Sequence, residues 1–173
     1  MTNNINADLL QPALPKYVEL YIVDATSLGG PVWRFCPATV NGATSVSFGG
    51  QTFTAMPISG SGWQSALDQA PPQPLLKLSN VTRYLTPYLT TYKDLVGATV
   101  TRLQTFDKYL DSGSNPDGTQ VFGTGVFVII QKIMQTKLEL QFKLSSVIDQ
   151  PQIKLPRRQL LRAEFPGVGL FQP

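Results

Sequence analysis

A mainly β fold, an antiparallel barrel or sandwich carrying one short helix, is predicted by three features of this chain. Leu138, Leu140, Phe142 and Leu144 alternate with Glu139, Gln141 and Lys143, which marks a strand with one buried and one wet face. Residues 126–130 (Val-Phe-Val-Ile-Ile) form an unbroken β-branched and aromatic run, the pattern of a strand covered on both faces. Gly49-Gly50 separates Val46 and Phe48 from Thr52 and Phe53, and paired glycines supply the positive φ angles a tight hairpin needs.

Taken in order, residues 1–16 hold Asn3, Asn4, Asn6, Pro12 and Pro15 and are expected to form an N-terminal arm that orders only on a neighbour. Val18, Leu20 and Ile22 alternate with Glu19 and Tyr21, a first strand; Gly29-Gly30-Pro31 ends it, and residues 32–35 begin a second. Residues 59–62 (Ser-Gly-Ser-Gly) read as a flexible loop into Trp63. The proline-rich residues 71–74 are extended and lack donors for a central strand, and Leu76 and Leu78 mark a short strand after them. Thr86 is placed to cap a helix with Pro87 in its first turn. Tyr88, Leu89, Tyr92, Leu95 and Val96 follow at helical spacing, and Gly97 supplies the left-handed end. The tyrosine stripe of this helix is read as core packing. A strand over residues 98–106 precedes an exposed loop at 111–118, and a turn near residues 134–136 pairs the last two strands antiparallel.

Composition narrows the chemistry. Hydrophobic residues make up 42% of the 173 and aromatics 10%, enough for a folded core. Charged residues are only 14%, against roughly a quarter in a typical soluble domain, so part of the surface is expected to be covered by partners. A net charge of +3 is too small to make nucleic acid the main partner, and no sequence-specific nucleic-acid binding is expected. The chain has no histidine and one cysteine, Cys36, read as a buried inert thiol. The commonest general base, the usual zinc sites and an intrachain disulfide are therefore excluded. No run of about 18 apolar residues is present to span a membrane as a helix. The acids are too dispersed to nominate an acid–base pair, and an enzyme is not expected.

One stretch carries a resemblance. Residues 94–102 (Asp-Leu-Val-Gly-Ala-Thr-Val-Thr-Arg), continuing through Thr105-Phe106 to Tyr109-Leu110-Asp111, resemble the signature of the lambda-like phage minor tail protein L family. Residues 17–24, Gly29-Gly30, Trp33-Arg34-Phe35, Val46, Phe48-Gly49-Gly50, Phe53, Pro57-Ile58, Leu78-Ser79-Asn80-Val81 and Leu155-Pro156-Arg157-Arg158 fit the same comparison, so it runs from about residue 17 to residue 162. The resemblance implies a siphophage tail-tip or baseplate hub protein that forms a homotrimeric ring. Its partners would be the distal tail protein, the central tip or fibre protein, and the tape-measure protein in the lumen. The place implied is the virion tail tip, after assembly in the bacterial cytoplasm. Proteins of this kind continue past the Arg-Arg motif into a cysteine-rich domain that holds an iron–sulfur cluster. Here Glu164 or Phe165 stands where the first ligand is expected, so the N-terminal domain alone and no cofactor are anticipated. The organisation implied is an arm (1–16), a β-rich hub domain (17–150) and an extended C-terminal interaction segment (151–173).

Candidate sites are few. Asp111, Asn115 and Asp117 have calcium-like spacing but lack the closing glutamate, and turn chemistry is the favoured reading. Lys154, Arg157, Arg158 and Arg162 form the one basic cluster. With Phe165 and Phe171 beside them, an interface is favoured over nucleic acid, because arginine pairs with carboxylates and carbonyls across subunits. An alternative reading is a small carbohydrate- or ligand-binding β module using Trp33, Trp63 and the tyrosines as stacking platforms.

Overall fold

Alternation along Tyr17–Asp24 builds β1, and the rest of the fold is arranged around it in a computed structural model that describes residues 5–8, 10, 12, 15–37, 44–64 and 71–147. The other strands are β2 (Val32–Cys36), β3 (Ser45–Phe48), β4 (Gln51–Ala55), β5 (Ile58–Ser61), β6 (Leu75–Ser79), β7 (Thr99–Phe106), β8 (Gly123–Gln135) and β9 (Glu139–Ser146). They form one nine-stranded sheet in the order β3-β4-β2-β1-β7-β8-β9-β6-β5. The ladders are antiparallel except at β2 and β4, where Phe35 and Cys36 run parallel to Thr54 and Ala55. Two helices accompany them among the described residues, α1 (Ile5–Asp8) and α2 (Thr86–Thr91).

The sheet curls on itself. Residues 51–61 kink at Met56-Pro57, so the first half pairs with β2 and the second with β6. Met56 N–H donates to the Cys36 carbonyl at 2.9 Å, and Ser79 N–H donates to the Pro57 carbonyl at 2.8 Å. This brings the ends of the sheet near each other without a ladder between β3 and β5, so the architecture is sandwich-like and the barrel is not closed. Inside the curl, Tyr21, Phe35, Leu76, Leu78, Ile129, Leu140, Phe142 and Leu144 pack with Leu85, Leu89 and Leu95 from the α2 region. On the outside of β1, a second cluster joins Val18 and Leu20 to Cys36, Val46, Phe53, Tyr109 and Ile5. β1 is thus covered on both faces, the role the sequence assigned to residues 126–130.

Several expectations change. In β8 only Val128 and Ile129 are buried as neighbours; Val126 is 45% exposed, and irregularities after Ile129 and Lys132 re-aim the strand. Of residues 59–62, read as a loop, the first three belong with Ile58 to the edge strand β5. Gly60 is required there because a Cβ would lie 2.1 Å from the Trp63 ring. The helix ends at Thr91 rather than near Val96, because Lys93, Asp94 and Leu95 take positive φ of 50°, 58° and 58°. Thr86 does not cap it: Leu85 holds that position, and the Thr86 hydroxyl donates to Asn80 Oδ1 at 2.9 Å. Leu89 and Leu95 fill the core and Tyr88 and Tyr92 pack half-buried against it, whereas Val96 is exposed. Part of the N-terminal arm sits on its own domain: Ile5 is buried in the second cluster, and the Asp8 carboxylate meets Lys108 Nζ at 2.5 Å and the Tyr109 hydroxyl.

Candidate interaction site

The side chains singled out as an interface, Arg157, Arg158, Arg162, Phe165 and Phe171, lie outside the described residues, as does Lys154. What the fold does assemble is a polar cluster at the Tyr17 end of β1 that sequence reasoning passed over. Period-two alternation puts Tyr17, Glu19 and Tyr21 on one face of β1. Antiparallel pairing with β7 sets Arg102 opposite Tyr21 and Gln104 opposite Glu19. The Arg102 guanidinium is ion-paired with Glu19, both side chains being about four-fifths buried. Tyr17 and Tyr21 each donate to a different Glu19 oxygen at 2.5 Å. With its amide oxygen turned toward them, Gln104 accepts from Arg102 Nη1 at 2.8 Å and Nη2 at 2.7 Å.

The electrostatics follow from this packing. Burial pushes the Glu19 carboxyl up, but hydrogen bonds from Tyr17, Tyr21 and Arg102 outweigh it and hold it below the usual carboxylate range. Burial and the Glu19 charge raise both tyrosines well above their ordinary value, so they remain neutral donors. Trp63 lies across the cluster, with the Arg102 guanidinium 4.9 Å from its ring centre and Phe127 edge-on at 5.1 Å. Between them is a recess of about 170 Å³, lined by Trp63, Arg102, Gln104, Thr124, Phe127 and the backbone at Gly123 and Gly125. Two buried donors of these residues, Trp63 Nε1–H and Arg102 Nε–H, have no acceptor among the described residues.

The remaining candidates are placed as follows. Trp33 is buried, edge-on to Tyr88 at 5.1 Å, and Trp63 is half-covered, so neither presents an open stacking platform. Asp111 closes the β3–β4 hairpin: its oxygens accept from Gly49 N–H and Gly50 N–H at 3.0 Å and from the Ser47 hydroxyl at 2.5 Å, and these bonds hold its pKa down. Asp117 accepts from Thr119 N–H at 3.0 Å. The oxygen-rich loop is therefore turn chemistry. Cys36 is fully buried, and burial pushes its thiol pKa up. Among the described residues no three acids or cysteines stand close enough to hold a metal ion. A charge pair inside a strand region was the available sequence signal for the Glu19–Arg102 cluster, since buried charges demand partners.

Two comparisons bear on this arrangement. A family profile described as phage minor tail protein L matches residues 26–166. Over 95 residues, 55% of the chain, it is 30% identical to the tail tip protein L of Escherichia phage lambda, and the aligned part covers 41% of that relative.

Proposed function

This chain belongs to the phage minor tail protein L family, and from that premise we propose that it forms a ring at the tail tip of a siphophage. It is a phage tail structural protein, and in this reading it joins the distal end of the tail tube to the central tip or fibre protein. The observation that carries the reading is the extent of the family match, which takes in every strand from β2 to β9. The ring is a homotrimer and its work is assembly and symmetry adaptation, with the distal tail protein on one side, the tip protein on the other and the tape-measure protein in the lumen. It is built in the host cytoplasm and ends in the virion.

The surface supports a role in assembly. Val81, Val126, Ile133, Leu138 and Val147 are all more than 40% exposed on a chain with few charges. In this reading residues 1–16 are the arm, 17–150 the hub domain, and 151–173 the interaction segment. Arg157, Arg158 and Arg162 bond to a neighbour's carboxylates or carbonyls, and Phe165 and Phe171 fill its grooves. Native mass measurement together with symmetry analysis of assembled tail tips tests this: three copies per tip are expected, and one or six would remove the ring as described. Removing residues 159–173 is expected to leave a folded domain that no longer enters tails. Normal infectious particles from that truncation would remove the role given to the segment.

A further inference from the structure

Where β8 turns into β9, the fold leaves two cations unanswered. Arg83 and Lys137 are both exposed, and neither has a side-chain partner among the described residues. They line a cleft of about 530 Å³ with Asn80, Thr86, Gln135 and Thr136, and no described carboxylate borders it. The two acids on the neighbouring elements are already committed: Asp94 is ion-paired with Lys132, and Glu139 lies 3.8 Å from Lys77 Nζ. Arg83 also sits at φ 51°, a left-handed conformation that glycine adopts freely and an L side chain only under strain. The turn it occupies is closed by backbone alone. Arg83 N–H donates to the Asn80 carbonyl at 3.0 Å, and Thr86 N–H donates to the Arg83 carbonyl at 3.2 Å. The turn therefore has no use for the guanidinium, and strain at a side chain unused by its own fold points to a contact outside it.

Beside the cations the surface is apolar. Leu138 is 71% exposed and Val81 66%, and the bond from Asn80 N–H to the Leu138 carbonyl, 2.8 Å, ties the two segments together. On its other side Leu138 borders a groove of about 620 Å³ with Pro37, Pro57 and Ile58. A phosphate backbone would answer the cations but leave Leu138 and Val81 in water, so this mixture suits a polypeptide. A second copy of the chain is a poor occupant, because its net charge is +3. Four of its described carboxylates are in ion pairs at home, and Asp24, Asp111 and Asp117 hold turns, which leaves Asp107 alone.

We propose that this face docks an acidic segment of a different tail protein, with carboxylates on Arg83 and Lys137 and an apolar residue against Val81 and Leu138. It rests on the chain's place in a tail and is independent of the number of copies in the ring. Arg83 can take a carboxylate with two parallel N–H bonds, and Lys137 meets one as a point charge. The apolar residues supply contact area, and the exposed cations steer the acidic partner and select it.

Carbodiimide treatment of intact particles tests this, since it condenses a lysine amine and a carboxylate in contact into an amide, the reagent taking up the water released. Amides between Lys132 and Asp94 and between Lys77 and Glu139 report that the reaction has reached this end of the chain. Peptide mass analysis is expected to find Lys137 joined to an Asp or Glu of another protein of the particle. A Lys137 link to a carboxylate of this chain, at home or in a second copy, would overturn the proposal. So would the absence of any Lys137 link while the two internal amides form, the result expected if nucleic acid covers the face. Particles that lack the chain altogether would instead remove its place in the tail. Arg83→Gly gives an independent readout, because it removes the guanidinium and the strained φ together. The melting temperature of the full chain should hold or rise. Expressed at equal level with the wild type during infection, the variant should enter particles about tenfold less often, the scale of one lost charge-assisted hydrogen bond. Equal incorporation would overturn the role given to Arg83, and so would a lower melting temperature, which would show the side chain at work inside its own domain.

Discussion

The two ends of the curled sheet are closed by different chemistry. At the Asp24 end of β1, α2 and the turn after it insert Leu85, Leu89 and Leu95 into the interior. Among the described residues the one buried polar residue there, Asn80, is fully engaged. Its backbone N–H donates to the Leu138 carbonyl at 2.8 Å, its Nδ2 to the Thr136 carbonyl at 2.6 Å, and its Oδ1 accepts from Thr86. At the Tyr17 end the closure is a charge cluster under Trp63, with two buried donors that have no acceptor among the described residues. Among the described residues, then, the buried polar group at the first end is satisfied and two buried donors at the second are not.

The largest effect is expected at the Asp24 end. Leu89 is 1% exposed, and Leu89→Ala should cost about 2–5 kcal/mol through lost transfer energy and the cavity left behind. Urea unfolding measures it. A cost under about 1 kcal/mol would mean that α2 is a loose cover and that the contrast between the ends is false.

At the Trp63 end the comparable break is Glu19→Gln, which keeps an acceptor but removes the charge beside a largely buried guanidinium. A loss of about 1–3 kcal/mol is expected, because Arg102 would remain with only Gln104 and the tyrosines as partners. The same unfolding experiment reads this. A neutral outcome would show that the pair is wetter than its burial implies.

The two ends also differed in how far the sequence announced them. Pro87 and the spacing of Leu89 and Leu95 are local signals within one short segment, and they located α2 and its buried face. The end of α2 escaped because nothing in Lys93-Asp94-Leu95 demands positive φ; the Lys132–Asp94 ion pair and the burial of Leu95 impose it through tertiary contacts. The strands were legible wherever polar and apolar residues alternate, as in β1 and β9, although β1 is covered on both faces. β5 was not, because Gly60 there serves the close approach of Trp63 rather than a turn. The Trp63 cluster draws on β1, β7, β8 and the residue two past β5, with no spacing in the chain to announce it. The residues offered as the interface, 157–171, fall outside what the structure describes.

Relief of the left-handed turn should sharpen the contrast in the opposite direction. Lys93 is exposed at φ 50°, and an L side chain there is strained by about 1–2 kcal/mol. Lys93→Gly removes that strain but adds unfolded-state entropy, so a net gain of up to about 1 kcal/mol is expected. A loss of stability would show that the Lys93 side chain contributes more to closing this end than its backbone costs.

The smallest effect, and the one most specific to the charged end, is a dependence on pH. Glu19's pKa in the folded chain is held below its unfolded value of about 4.3 by Tyr17, Tyr21 and Arg102. Its contribution is therefore fully present above that unfolded value and is lost as pH falls through the lower folded one. Asp8, Asp24 and Asp111 are depressed as well, by Lys108, Thr26 and Ser47 as their leading partners, so the chain as a whole loses stability in acid. Subtraction isolates Glu19: those three are common to the wild type and Glu19→Gln, and their effects cancel in the difference. The stability gap between the two proteins should be constant from pH 7 to about 5 and narrow steadily below about 4.3. Urea unfolding at pH 7, 4 and 3 measures the gap. If it stays the same at pH 3, the three donors do not hold the Glu19 charge, and the Tyr17 end is closed by packing like the other.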